Sequence, residues 1–194
     1  MTFYHAIENA SDGDIKSSYP TRRVPKNVPY VVDNLWAWTK PSQYADRRNS
    51  AYASPTPEQA GKFGDGDIYQ VEVLGDSAVI CQVIDPEIDD SKKHWDVTDS
   101  GVQKAVLGLL GKYDWTERPV DTKARAGRLF LPAVAPEEVN AILDDIGASE
   151  NDRQALRDAV TYWDDVKILN DGDDVTDGGE IFFTYPDGYR LHAI

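Results

Sequence analysis

The sequence predicts an α+β fold, and three observations carry that prediction. Runs rich in aromatic and β-branched residues stand towards the two ends, in TFYHAIE, DIYQVEVLGDSAVICQVID and EIFFTYPDGYRLHAI. Segments with apolar residues at helical spacing fill much of the region between, in SGVQKAVLGLLGKYDW and PEEVNAILDDIG. The order is strands first, then mostly helices, then strands again, which argues for largely antiparallel pairing. With no internal repeat and no linker-like stretch, the chain reads as a single domain over 1–194. It carries a loop insertion near 11–29 and a helical segment near 99–166.

Each element has its own signal. TFYHAIE is an opening strand, and NASDGDIKSSYPTRRVPKNVP, polar with Gly and Pro, is a long loop. YVVDNLWAWTKP suits a short helix with Asp33 as N-cap, Leu35, Trp36 and Trp38 on its apolar face and Pro41 ending it. In RRNSAYASPTPEQAGKF a short strand, SAYAS, meets a Pro-Thr-Pro turn into a helix. DIYQVEVLGDSAVICQVID looks like a hairpin about Gly75-Asp76, followed by a charged loop, DPEIDDSKKHWDVTDS. A helix carrying Val102, Ala105, Val106, Leu109, Leu110 and Tyr113 comes next, then a strand in AGRLFLPAV. PEEVNAILDDIG is a helix with Pro136 in its first turn and Gly147 at its end. SENDRQALRDAVTYWDDV is another, capped by Ser149 with Asp152 three residues on. NDGDDVTDGG is an acidic loop, and EIFFTYPDGYRLHAI a closing hairpin about Pro186-Asp187-Gly188.

Composition narrows the function classes. With 194 residues, 41% of them hydrophobic, and five Trp, the chain can bury a substantial core. A formal net charge of −14 argues against DNA or RNA as a partner, because the field of the whole protein repels phosphate. It fits a basic protein partner or a salt-rich setting. The single cysteine, Cys81, excludes an internal disulfide framework and, in the apolar run SAVICQV, reads as core. No apolar stretch approaches the roughly 20 residues of a membrane span. The N-terminal MTFYHAIENASDGD lacks a basic start and an apolar signal core, so the expectation is a cytoplasmic protein, of the producing or a host cell.

Several chemistries fail on spacing. LGLLGK lacks the length of a P-loop, and GKFGDGD misses the glycine spacing of a dinucleotide-binding turn. An EF-hand begun at Asp173 would place Val175 and Thr184 at ligand positions. His5, His94 and His192 are scattered, so no metal site is expected. No G-x-S-x-G elbow is present.

Three fragments, taken in order, carry a positive signal. FYHAIE places His5 on a first strand, SAYASPTPEQAGKF places Tyr52 on a second strand followed by a helix, and GGEIFF places Glu180 at the start of a late strand. This order resembles the ADP-ribosyltransferase superfamily, in its His-Tyr-Glu branch, related to diphtheria toxin and the poly-ADP-ribose polymerases. The helix VVDNLWAWTKP resembles the family's segment between the first two motif strands. Phe63 stands eleven positions after Tyr52, matching the branch's second aromatic. The long gap between His5 and Tyr52 departs from the pattern, and Gly178, two before Glu180, rules out the Glu-x-Glu of the arginine-modifying branch.

The resemblance implies a split, mostly antiparallel sheet with flanking helices and an enzyme that cleaves NAD as co-substrate without a metal. His5 would bind the adenosine-side ribose. Tyr52 and Phe63 would form two walls of a slot for nicotinamide, with Ser54 beside them. Glu180 would hydrogen-bond the nicotinamide ribose and stabilise the oxocarbenium-like transition state, with Glu138 as its rival. The pyrophosphate needs a cation, for which Arg47 and Arg48 are named, with Arg22 and Arg23 in the other flanking loop. Transfer to a macromolecule, with protein favoured over nucleic acid on charge, would make it a toxin, effector or phage-encoded modifier. Hydrolysis of NAD, or an inactive binding protein on the same fold acting as an acidic inhibitor, stay open.

Overall fold

Alternation of side chains along short strands builds two antiparallel sheets. The computed structural model describes residues 1–17, 23–24, 27–85, 91–113, 125–177 and 179–194, with the backbone alone over 91–100. Its strands are β1 (Tyr4–Ile7), β2 (Ile15–Lys16), β3 (Ala51–Ala53), β4 (Asp67–Val73), β5 (Ile80–Val83), β6 (Val166–Leu169), β7 (Ile181–Phe183) and β8 (Tyr189–Ala193). Its α-helices are α1 (Tyr30–Thr39), α2 (Pro57–Phe63), α3 (Ser91–Lys112), α4 (Pro136–Asp145) and α5 (Glu150–Asp158). The α+β class is therefore as expected, and no described helix is long and apolar enough to cross a membrane.

The chain divides into two compact units. The first comprises Met1–Arg22, Ser42–Ser91 and Asp165–Ile194, and the second Arg23–Pro41 and Lys92–Asp164.

The first unit holds both sheets, in the orders β1-β4-β8-β2 and β3-β7-β5-β6. Its core takes alternate residues from each: Tyr69, Val71, Tyr189 and Leu191 from one sheet, Ala51, Ala53, Ile181 and Phe183 from the other, with Phe3 and Tyr185. Cys81 is fully buried, as its apolar run implies. Helix α2 starts where Thr56 accepts a hydrogen bond from the Gln59 amide and Pro57 takes the first turn. It ends at Gly64, where a Cβ would lie 2.8 Å from the Ala6 carbonyl oxygen. Only glycine lets the helix end approach β1 so closely.

Two expected hairpins are not hairpins. β4 pairs with β1 and β8, whereas β5 pairs with β6 and β7. In the same way β7 pairs with β3 and β5, whereas β8 pairs with β4 and β2. The turn residues do reverse the chain: Gly75 has φ +74°, and the Gly188 amide bonds the Tyr185 carbonyl. At both turns, however, the chain passes from one sheet to the other. The two crossings lie side by side, joined by a bond from the Leu74 amide to the Gly188 carbonyl and by one from the Ser77 hydroxyl to Asp187. Turn chemistry signals a reversal; it does not say which strand lies alongside. The loop after β1 also contributes β2, an edge strand too short to show periodicity.

In the second unit Leu35 and Trp36 of α1 are buried, and the Trp36 ring stacks on Tyr162. Pro29, not Asp33, occupies the N-cap of α1, and Asp33 lies buried within the first turn. AGRLFLPAV is not a strand but a 3-10 turn, Arg128–Phe130. Buried Asn34 explains why: its amide nitrogen donates to the carbonyls of Leu129 and Leu131, and its oxygen accepts from the Val134 amide. Those backbone groups are satisfied by one side chain, leaving no need for a ladder. Helix α3 begins at Ser91, inside the segment expected to be a charged loop, whose sequence carries no regular apolar stripe to signal a helix; residues 86–90 lie outside the described part. The helix expected over 149–166 stops at Asp158, and its last residues form a 3-10 turn (Tyr162–Asp165) and the first residue of β6.

Candidate active site at the junction of the two sheets

Strand β3 has a continuous register with β7: Ala51, Tyr52 and Ala53 oppose Phe183, Phe182 and Ile181. Ser54 follows Ala53 at the end of β3, and Glu180 immediately precedes Ile181 at the start of β7. Ser54 also makes the bridge to the first sheet. Its amide donates to the Tyr4 carbonyl at 2.7 Å, and the Tyr4 amide donates to its carbonyl at 2.8 Å. β1, which carries His5, thus bridges to the end of β3, which carries Tyr52, and β3 in turn pairs with β7, which Glu180 precedes.

Alternation decides which side chains face one another. Ala51, Ala53, Ile181 and Phe183 point into the core, so Tyr52 and Phe182 occupy the other face of their sheet. Their ring centroids are 6.3 Å apart. Arg47 reaches this face from the 3-10 turn Arg47–Asn49, whose start is capped by the Asp46 side chain. Its guanidinium carbon lies 5.7 Å from the Tyr52 ring centre and 6.0 Å from that of Phe182, within range of a cation–π contact. A terminal nitrogen is 3.6 Å from the Glu180 carboxylate, with the two side chains only 8% and 15% exposed. The Tyr52 hydroxyl donates to the Arg47 carbonyl at 2.9 Å, fixing the turn to the strand.

Glu180 is held by its neighbours. Its carbonyl accepts from the Val83 amide at 2.9 Å. A Cβ on Gly179 would sit 1.3 Å from the Val83 carbonyl oxygen, so a glycine is obligatory there. Fully buried Gln82 closes the loop before it: its amide nitrogen donates to the Thr176 and Gly179 carbonyls at 2.7 and 3.4 Å, and its oxygen accepts from the Thr176 amide at 3.0 Å.

No family model, curated protein or solved structure matches the chain. The geometry alone therefore places the residues named from the sequence. Tyr52, Glu180 and Arg47 are brought together, and Ser54, 7% exposed, is the bridging residue. His5 is one residue from that bridge, but its ring stacks on Tyr189, 6.2 Å between centres, on the side of β1 shared with Phe3. Phe63 ends α2 and is half exposed. Arg48 is buried, as is Arg47, so neither is ordinary surface charge. Arg23 is exposed, and Arg22 lies outside the described residues. Glu138 is engaged elsewhere, accepting from the Ala135 amide at the start of α4 and pairing with Arg128. Among the described residues, no group of His, Cys, Asp and Glu could hold a metal ion; the His94 side chain is not among them.

Phe182 and Gln82 were not singled out by the sequence, although both left a signal. Three consecutive apolar residues in EIFF mean that one faces away from the core. A lone amide within ICQV must find partners if it is buried.

Proposed function

We propose that the chain is a mono-ADP-ribosyltransferase that cleaves NAD and transfers ADP-ribose to a macromolecular acceptor, a protein. The observation carrying this reading is the pairing of β3 with β7, with the Arg47 guanidinium lying over the Tyr52 ring and 3.6 Å from the Glu180 carboxylate. In the reaction the bond between nicotinamide and ribose breaks, and nicotinamide leaves with the electron pair. A nucleophile of the acceptor then bonds to the anomeric carbon and loses its proton. The transition state carries oxocarbenium character, as in glycoside hydrolysis. A carboxylate held beside that carbon, and bonded to a ribose hydroxyl, lowers the barrier through electrostatics in place before the reaction.

Glu180 takes that role. Tyr52 supplies one ring wall, and Phe63, half exposed at the end of α2, is assigned the second by resemblance. Stacking of this kind contributes about 0.5–1.5 kcal/mol beyond area burial. Ser54 and His5 are assigned to the nicotinamide slot and the adenosine-side ribose by resemblance, and Arg47 and Arg48 are assigned the pyrophosphate. The acidic chain favours a protein acceptor over nucleic acid.

Incubation of the purified chain with labelled NAD and a cell lysate tests the reading. The expected result is a labelled protein band that is lost in Glu180→Gln. Free ADP-ribose without a band would make the chain an NAD glycohydrolase. An intact chain that neither binds nor consumes NAD would be a binding protein on this fold.

A further inference from the structure

This inference rests on the NAD reading and deepens it. A guanidinium is planar, delocalised and permanently charged, and it stacks on aromatic faces. The nicotinamide ring of NAD is also a flat cation. Both ask a site for the same things: aromatic faces and a carboxylate. Arg47 already has them, with its guanidinium 5.7 and 6.0 Å from the ring centres of Tyr52 and Phe182 and 3.6 Å from Glu180.

We infer that Arg47 is the resident cation of the nicotinamide seat, and that NAD binds there by displacing it. Two physical points support an exchange over a shared site. A carboxylate with a guanidinium beside it is less able to stabilise a second positive charge, since the two cations repel across the same short distance. The main chain of Arg47 is independently fixed, by the Tyr52 hydroxyl on its carbonyl and by the Asp46 cap on the next amide. An exchange therefore asks only the side chain to move, with the turn held in place by these main-chain bonds. Once displaced, Arg47 starts from a position next to the bound dinucleotide, where its charge suits the pyrophosphate.

The test uses N-methylnicotinamide, a pyridinium cation with neither ribose nor pyrophosphate, alongside NAD. A seat filled about nine-tenths of the time by its own arginine lowers apparent affinity about tenfold. Arg47→Met, which keeps a long stem and removes the charge, should therefore bind N-methylnicotinamide about tenfold tighter than the unaltered chain. In the unaltered chain, the Nε–H resonance of Arg47 should move as the same cation is titrated in. Equal or weaker binding by a folded Arg47→Met overturns the exchange, and so does an Arg47 resonance that stays in place while the cation binds. The two readings separate cleanly. NAD binding by the unaltered chain without the gain in Arg47→Met sinks the exchange alone. A gain for N-methylnicotinamide with no binding of NAD sinks the NAD reading and leaves a displaceable seat for flat cations.

Discussion

At the residue scale, Glu180 and Tyr52 carry separable predictions. Glu180→Gln keeps size and most hydrogen bonding but loses charge. If the chain is the NAD-cleaving enzyme proposed, turnover of NAD should fall by about 10²–10³ while NAD affinity stays nearly intact, as for an interaction realised mainly in the transition state. Single-turnover kinetics beside equilibrium binding would show the split, and full activity would reject the role. Tyr52→Ala should do the reverse, weakening NAD binding by about 1–3 kcal/mol in titration calorimetry. The sequence singled out Tyr52 and Glu180 by type and order, and the structure brings both beside Arg47; Phe63, also singled out, is a half-exposed residue at the end of α2. The sequence could not show that Arg47 turns inwards, since nothing in RRN separates a buried arginine from a solvated one. Nor could it show that the His5 ring lies against Tyr189, which depends on a strand more than 180 residues further along the chain.

At the scale of elements, small residues and amides decide where irregular backbone goes. Gly179→Ala forces a Cβ into the Val83 carbonyl, so the start of β7 must shift. The expected cost is about 1–3 kcal/mol by denaturant unfolding, with a loss of NAD turnover as Glu180 moves with it. Asn34→Ala strands two carbonyls and one amide in the second unit and should cost on the order of 3 kcal/mol. Unchanged midpoints would show that these contacts do not bear on stability. Helices α2 and α4 were legible through Thr56-Pro57 and Pro136, whose signals are local. The AGRLFLPAV segment was not, because its backbone partners belong to Asn34, nearly a hundred residues away. The VKIL strand was hidden behind a helical reading of YWDD, and only its pairing with β5 defines it.

Across the whole molecule, acid and alkali act on different groups. The Asp152 carboxylate sits well below the usual range, held first by Lys112, then by the Ser149 and Tyr113 hydroxyls. Glu72 is lowered by His192 and Arg190, and Asp173 by the Asn170 amide. Each binds its proton less tightly when folded, so its stabilisation is present above the unfolded carboxylate range and lost as pH falls through the folded value. Lys112, raised by Asp152, and Tyr69, raised chiefly by burial and then by Asp67, hold their protons more tightly when folded. Their contributions are present below the unfolded values, near 10, and fade as pH rises through the folded ones. Urea midpoints should therefore form a plateau that falls at both ends, and the acid limb should shrink in Asp152→Asn. An acid limb identical in that variant would remove Asp152 from the account.

The adjacent crossings between the sheets also govern when the protein can fold. β7 and β8 are interior strands, one in each sheet, yet they follow every other strand along the chain, so synthesis delivers them after all the others. Until then β4 and β5 each lack a neighbour on one side, and hydrophobic strand edges wait open during synthesis. Such late, long-range closure slows folding and exposes intermediates to association. A chain stopped at Gly179 should fail to form either sheet, and a nascent chain held with β7 and β8 inside the exit tunnel should remain a substrate for chaperones and proteases.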